Sequence, residues 1–270
     1  MRLSRIALVA VGALAARAAL AGVRAPVGLD RTNFRGRTVN LAGGPALAVA
    51  ASASAALGAD DPRGAGAALV AGLGAGSVGF YDDLVGGRPE HQAKGFRGHL
   101  GALREGRVTS GLAKIVGVGA AGLAASALLP ARRRGGLVHT LLGAGVIAGT
   151  ANLVNLLDLR PGRALKAGLL LGAPLAVGPA GGVAAGPVGA CTALLPDDLG
   201  EKIMLGDAGA NALGAVLGVA LAARTGTVGR AVLLAAIAGL TATSEKVSFT
   251  KVIESTPGLR ELDALGRRPA

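Results

Sequence analysis

Three short segments carry polar side chains at spacings that suit phosphate chemistry. Gly79-Phe80-Tyr81-Asp82-Asp83-Leu84 sets two adjacent carboxylates at the end of an apolar run. Asn152-Leu153-Val154-Asn155-Leu156-Leu157-Asp158 places a polar residue at every third position, so on a helix two amides and a carboxylate share one broad face. Gly206-Asp207-Ala208-Gly209 opens a further apolar run, where glycines permit close backbone approach and a helix start favours anions. Charged groups near a bilayer are costly and usually functional. A carboxylate pair at a helix C-terminus is also electrostatically unfavourable, so a cation or another partner is expected to compensate Asp82 and Asp83.

Each segment has a plainer reading. Asp82 and Asp83 are ordinary residues for a solvated helix end. Asn152 and Asn155 suit interhelical amide hydrogen bonding. Asp207 is a good cap for its own helix. Alternatively, Asp207 holds a metal against phosphate oxygens, since Mg²⁺ commonly binds through one or two carboxylates plus substrate phosphates. Lys94, Arg97, Arg160 and Arg163 lie close by in sequence. They either neutralise phosphate or mark a cytoplasmic boundary. Carboxylates and bases together at a membrane surface suit metal-assisted phosphoryl transfer between a nucleotide and a lipid.

The elements that must deliver these groups are apolar. Of 270 residues 51% are hydrophobic, yet 2% are aromatic, 46 are Gly and none is Trp. Mean hydropathy is +0.54. A soluble core of this size would use more aromatic bulk, whereas small residues suit closely packed membrane helices. Spans are expected over 4–22, 41–59, 64–80, 111–129, 136–153, 164–177, 181–195, 209–223 and 228–243, the sixth and seventh being short. The expected fold is therefore all-α, a polytopic transmembrane bundle of nine to ten spans. Residues 1–270 read as one domain, with no internal repeat and a retained first helix in place of a cleaved signal peptide.

Alternating the sides puts 23–40, 81–110, 155–163, 196–208 and the tail after Ser244 on one face. The larger share of Lys and Arg falls there, which makes that face cytoplasmic; Arg132, Arg133 and Arg134 fall opposite. All three polar segments land on this face. The net charge of +12 reads as basic loops meeting anionic lipid and phosphate, not as a nucleic-acid surface.

In order and spacing, the three segments resemble the polyprenyl-phosphate N-acetylhexosamine-1-phosphate transferase family. Its marks are an Asp-Asp pair after a Gly/Phe-containing helix end, an N-x-x-N-x-x-D segment and a G-D-x-G segment opening a helix. A looser match is Asp30-Arg31-Thr32-Asn33-Phe34-Arg35 followed by Gly43-Gly44. The resemblance covers most of the chain, from about Asp30 to Leu221. It implies that a polyprenyl phosphate attacks the β-phosphate of a UDP-sugar and that UMP leaves, with Mg²⁺ bridging the pyrophosphate. Carried over by position, Asp82, Asp83, Asp158 and Asp207 are the catalytic residues, with Asp207 and Asp83 as metal ligands. Asn152, Asn155, Lys94, Arg160, Arg163, Gly206 and Gly209 would contact substrate. The implied setting is the bacterial plasma membrane with a cytoplasmic site, serving cell-envelope glycan synthesis, and a homodimer is compatible with it.

The family's His-rich motif in the last cytoplasmic loop is absent. Ser244-Glu245-Lys246-Val247-Ser248 stands there, and Asp158 continues as Leu159-Arg160-Pro161-Gly162. These departures keep a second reading open, a non-catalytic relative that binds lipid phosphate or scaffolds other enzymes. A transporter is a third, suggested by the Gly/Pro break at 178–182. His99 is expected to be a solvated loop residue and His139 an interhelical hydrogen-bond partner. Asp197 and Asp198 read as loop charges. Cys191 reads as a small core residue, and the tail over 259–268 as a surface helix at the headgroups.

Overall fold

A computed structural model describes residues 3–23, 28–86, 88, 109–129 and 136–268. Lys94, Arg97, His99 and Arg132–Arg134, singled out above, lie outside them. The described chain is mostly helical. Its helices are α1 (Arg5–Val23), α2 (Gly43–Leu57), α3 (Pro62–Val85), α4 (Ser110–Leu128), α5 (Gly136–Leu157), α6 (Arg163–Val177), α7 (Gly181–Leu199), α8 (Gly206–Arg224), α9 (Thr227–Ser244), α10 (Phe249–Ser255) and α11 (Leu259–Ala264). A two-stranded antiparallel ribbon, β1 (Asp30–Thr32) and β2 (Thr38–Asn40), precedes α2.

Among the described residues six helices are long and apolar enough to cross a membrane: α1, α3, α4, α5, α8 and α9. That is fewer than the nine expected spans. The difference lies in α2 and α6, at 15 residues each, and in α7, whose last turn carries Asp197 and Asp198. A 15-residue helix is about 22 Å long, short of a hydrocarbon core of roughly 30 Å.

Helix α8 is the hub. Of its most apolar stretch 83% is buried, against 11% for α9, which leaves Val228, Val232 and Leu240 exposed on its outer side. Helix α3 packs along α8 through Gly72, Gly76 and Gly79, all buried and three or four residues apart. Such a stripe of small side chains lets two backbones approach closely. The same spacing carries on to Asp82 and Asp83, so the stripe that seats α3 also aims both carboxylates at the start of α8. Asp61 begins α3, accepting from the N–H groups of Arg63 and Gly64 at 2.9 Å each, with Pro62 in the first turn.

At the far end, Arg230 of α9 is 2% exposed. Its guanidinium donates to the Ala222 carbonyl at 2.8 Å and the His139 carbonyl at 2.7 Å, tying the last turn of α8 to α5. His139 Nδ1 stands 3.1 Å from Thr227 Oγ1 of α9, which is the interhelical role expected of it. Arg230→Met leaves these buried carbonyls without donors and is expected to cost about 2 kcal/mol of stability. A lower thermal midpoint in detergent checks this, while an unchanged midpoint contradicts it. Cys191 is 1% exposed, as expected of a core residue.

Candidate functional site

The carboxylates read from sequence gather around the first turn of α8. That helix has no side-chain cap of its own, because Leu205 precedes it. Asp83 supplies the cap from α3. Its two carboxylate oxygens accept from the backbone N–H groups of Asp207 and Ala208, each at 2.9 Å. The Asp158 carboxyl lies beside the Gly206 N–H. A helix N-terminus with its partial positive charge is thus met by two carboxylates from two other segments. Gly206 sits at φ +59°, and a Cβ there would press on Asp83 and Leu41, so glycine is required twice over. Gly79 faces the Asp207 carbonyl with no room for a side chain.

Because Asp83 caps the helix, the Asp207 side chain is released for another role. Its carboxyl adjoins that of Asp82, and both pair with the Lys114 ammonium, which lies 2.8 Å from Asp82 Oδ2 and closer still to Asp207 Oδ2. Ser110 also donates to Asp82. Lys114 stands in the second turn of α4, which Thr109 caps by accepting from the Leu112 N–H. It is the compensation expected at the Asp pair, supplied by a neighbouring helix. Lys114 is not among the residues singled out from the sequence. The usable signal was that a lone Lys in an otherwise uncharged apolar helix implies an acidic partner.

Beside this cluster lies a pocket of about 210 Å³. Thr32, Asn33 and Phe34 form one side, the turn from Asp158 to Pro161 another, and Asp198, Glu201, Ile203 and Met204 the floor. Asp158 belongs to both places, joining the pocket to the α8 N-terminus. The Arg160 guanidinium lies over the Phe34 ring, 4.5 Å from its centre. Glu201 holds the ribbon loop, accepting from Asn33 Nδ2 at 2.6 Å and Arg35 at 2.9 Å, with its own backbone at φ +52°. A non-glycine residue in that region is strained, and such strain tends to gather at working sites. Asp198 accepts from the Gly162 N–H at 2.7 Å and fixes the turn. Asp198 is a pocket residue rather than a loop charge, and Glu201 is a pocket residue not singled out from the sequence.

Burial holds the Asp158 carboxyl well above the ordinary carboxylate range, and the neighbouring carboxylates of Asp198, Asp207 and Asp83 push it the same way. A folded-state pKa raised above the unfolded value, about 4, means that the folded chain binds the extra proton between those two pKa values, so stability falls as pH rises. Asp158→Asn removes the titration and keeps an oxygen for Gly206. Its thermal midpoint relative to the unaltered protein should therefore improve from pH 5 to pH 8. A constant gap contradicts this.

Not every expected site residue joins the cluster. Asn152 turns to α9, with Nδ2 3.5 Å from Thr241 Oγ1. Arg163 is 4% exposed and engaged by Asp263 and Thr250. Gly209 packs against Gly44 of α2. Among the described residues no group of three metal-ligating side chains converges. Asp82 and Asp207 are a carboxylate pair, however, and a magnesium ion needs only one or two such groups when substrate phosphates and water complete its shell. The donor set fits on those terms, with Asp82 in the place expected of Asp83. Compared with known proteins, the chain matches no family model and no curated protein.

Proposed function

We propose that the protein transfers a sugar-1-phosphate from a UDP-sugar, of the N-acetylhexosamine type, to a polyprenyl phosphate and releases UMP. The observation that carries this reading is the meeting of Asp82, Asp83, Asp158 and Asp207 with Lys114 at one helix N-terminus beside a pocket. Because Asp83 takes the α8 N–H groups, a diphosphate would be met here by the Lys114 cation and by a metal held on the remaining carboxylates. The pocket, with its flat Phe34–Arg160 pair and its carboxylate acceptors, suits a nucleoside. The lipid phosphate oxygen attacks the β-phosphorus, and the bond from that phosphorus to the bridging oxygen breaks. The bridging oxygen leaves with UMP.

Within this reading, Asp207 and Asp82 would hold Mg²⁺, which supplies Lewis-acid stabilisation of charge on the transferring phosphate. Lys114 orients both carboxylates and adds positive charge beside the phosphates. Asp83 fixes the start of α8 and with it the place of the Asp207 carboxyl, and Arg160 faces the nucleotide. Helices α2, α6 and α7 are read as further passes, giving nine, with the site on the cytoplasmic face of a bacterial inner membrane. Purified protein given labelled UDP-N-acetylglucosamine, Mg²⁺ and undecaprenyl phosphate should yield a labelled lipid. A panel of UDP-sugars that gives none argues against transfer. One feature favours the second reading, a lipid-phosphate binder without catalysis: Lys114 occupies the gap between Asp82 and Asp207.

A further inference from the structure

The C-terminal segment does more than lie at a surface. After α9 the chain returns over the pocket end of the bundle, where Arg163, at the first position of α6, takes hold of it. Arg163 Nε and NH2 donate to the two oxygens of Asp263 at 2.8 and 2.9 Å, and NH1 donates to Thr250 Oγ1 at 2.8 Å. Arg163, Thr250 and Asp263 are all buried. Lys166 Nζ caps three carbonyls of the tail, those of Leu262, Asp263 and Leu265, at 2.7–3.0 Å. Burial alone would raise the Asp263 carboxyl, but the Arg163 and Arg267 guanidiniums hold it below the ordinary range. A planar, two-point pair of this kind fixes orientation as well as position.

From that anchor the tail reaches the pocket wall at three points. Arg267 Nε donates to the Pro161 carbonyl at 2.8 Å. Glu254 pairs with Arg160 at 3.8 Å. The Arg268 carbonyl accepts from Arg35, which also donates to Glu201 on the pocket floor. Arg160 and the ribbon loop are the two parts that form the flat pair over the pocket. Neither α5 nor β1 holds them by itself, since α5 ends at Leu157 and each strand is three residues long.

We propose that the segment Phe249–Arg268 is a strap that positions the pocket wall, with Arg163, Asp263 and Arg267 as its positioning residues. As a statement about ligand, it rests on the nucleotide reading above; as a statement about the wall, it stands alone. The strap fixes where Phe34 and Arg160 sit, so loosening it should soften the pocket while leaving the α8 core unchanged.

Amide hydrogen exchange on the full chain in detergent, without ligand, tests this. In Asp263→Ala, exchange over 30–40 and 158–162 should speed by about tenfold while α8 is unchanged, since local opening is read segment by segment. Asp263→Glu should restore most of the protection. Arg267→Gln keeps the Arg163–Asp263 pair and so serves if Asp263→Ala fails to fold; the same two segments should speed in it. Unchanged protection of the ribbon overturns the proposal, as does equal speeding through α8, which marks a general loss of stability. UMP binding, measured alongside by equilibrium dialysis, should weaken in step with the exchange. Failure of the unaltered protein to bind UMP counts against the nucleotide reading, and the exchange result still decides the strap.

Discussion

Asp207→Asn should abolish transfer while leaving the protein folded. Turnover is expected to fall about 10³-fold, the scale seen when a group that stabilises transition-state charge is removed. The fold should survive because Asp207 does not hold α8 in place. The helix start is capped by Asp83, with Asp158 beside it, and the Asp207 side chain faces Lys114 and Asp82. Asparagine keeps the shape and loses the charge. Labelled-lipid formation and the thermal midpoint, measured on one preparation, separate the two effects. Turnover within a fewfold of the unaltered protein would end the assignment of Asp207 to the reacting phosphates.

Lys114→Met should damage stability as well as activity. Asp82 and Asp207 adjoin, and without the ammonium two neighbouring carboxylates lose their common partner. Removing one member of a fully buried charge pair costs about 3–5 kcal/mol. These groups keep 13–24% of their surface, so a figure of about 2 kcal/mol is expected. Millimolar Mg²⁺ should recover part of that loss by sitting between the carboxylates, because any ligand of the folded state stabilises it. Transfer should stay low, since a cation at that point no longer comes with a lysine beside the phosphates. A variant as stable and as active as the parent contradicts the role given to Lys114.

The helical class and the apolar lengths were legible because hydropathy reports them directly. The delivery of Asp82 and Asp83 was legible too. The Ala/Gly stripe of α3 repeats every three or four residues, and the carboxylates continue it. What spacing does not carry is the partner of a charge. Arg163 reads as a phosphate ligand until Asp263, one hundred positions away, is seen to occupy it. Asn152 reads as a site amide, yet it faces Thr241 of α9. Asp207 reads as its own helix's cap because Asp83, which does that work, is distant in sequence. The ribbon of β1 and β2 escaped notice for a different reason. Three residues per strand are too few for alternation to register, and Glu201 and the Asn40–Ile203 bridge hold it from outside.

The most direct test of the central claim is isotope exchange between labelled UMP and a panel of UDP-sugars, with purified protein, Mg²⁺ and undecaprenyl phosphate. Reversible transfer predicts label moving into one UDP-sugar, dependent on the lipid phosphate and lost in Asp207→Asn. Folded protein that exchanges label into none of them would contradict the transferase account and favour a non-catalytic lipid-phosphate binder.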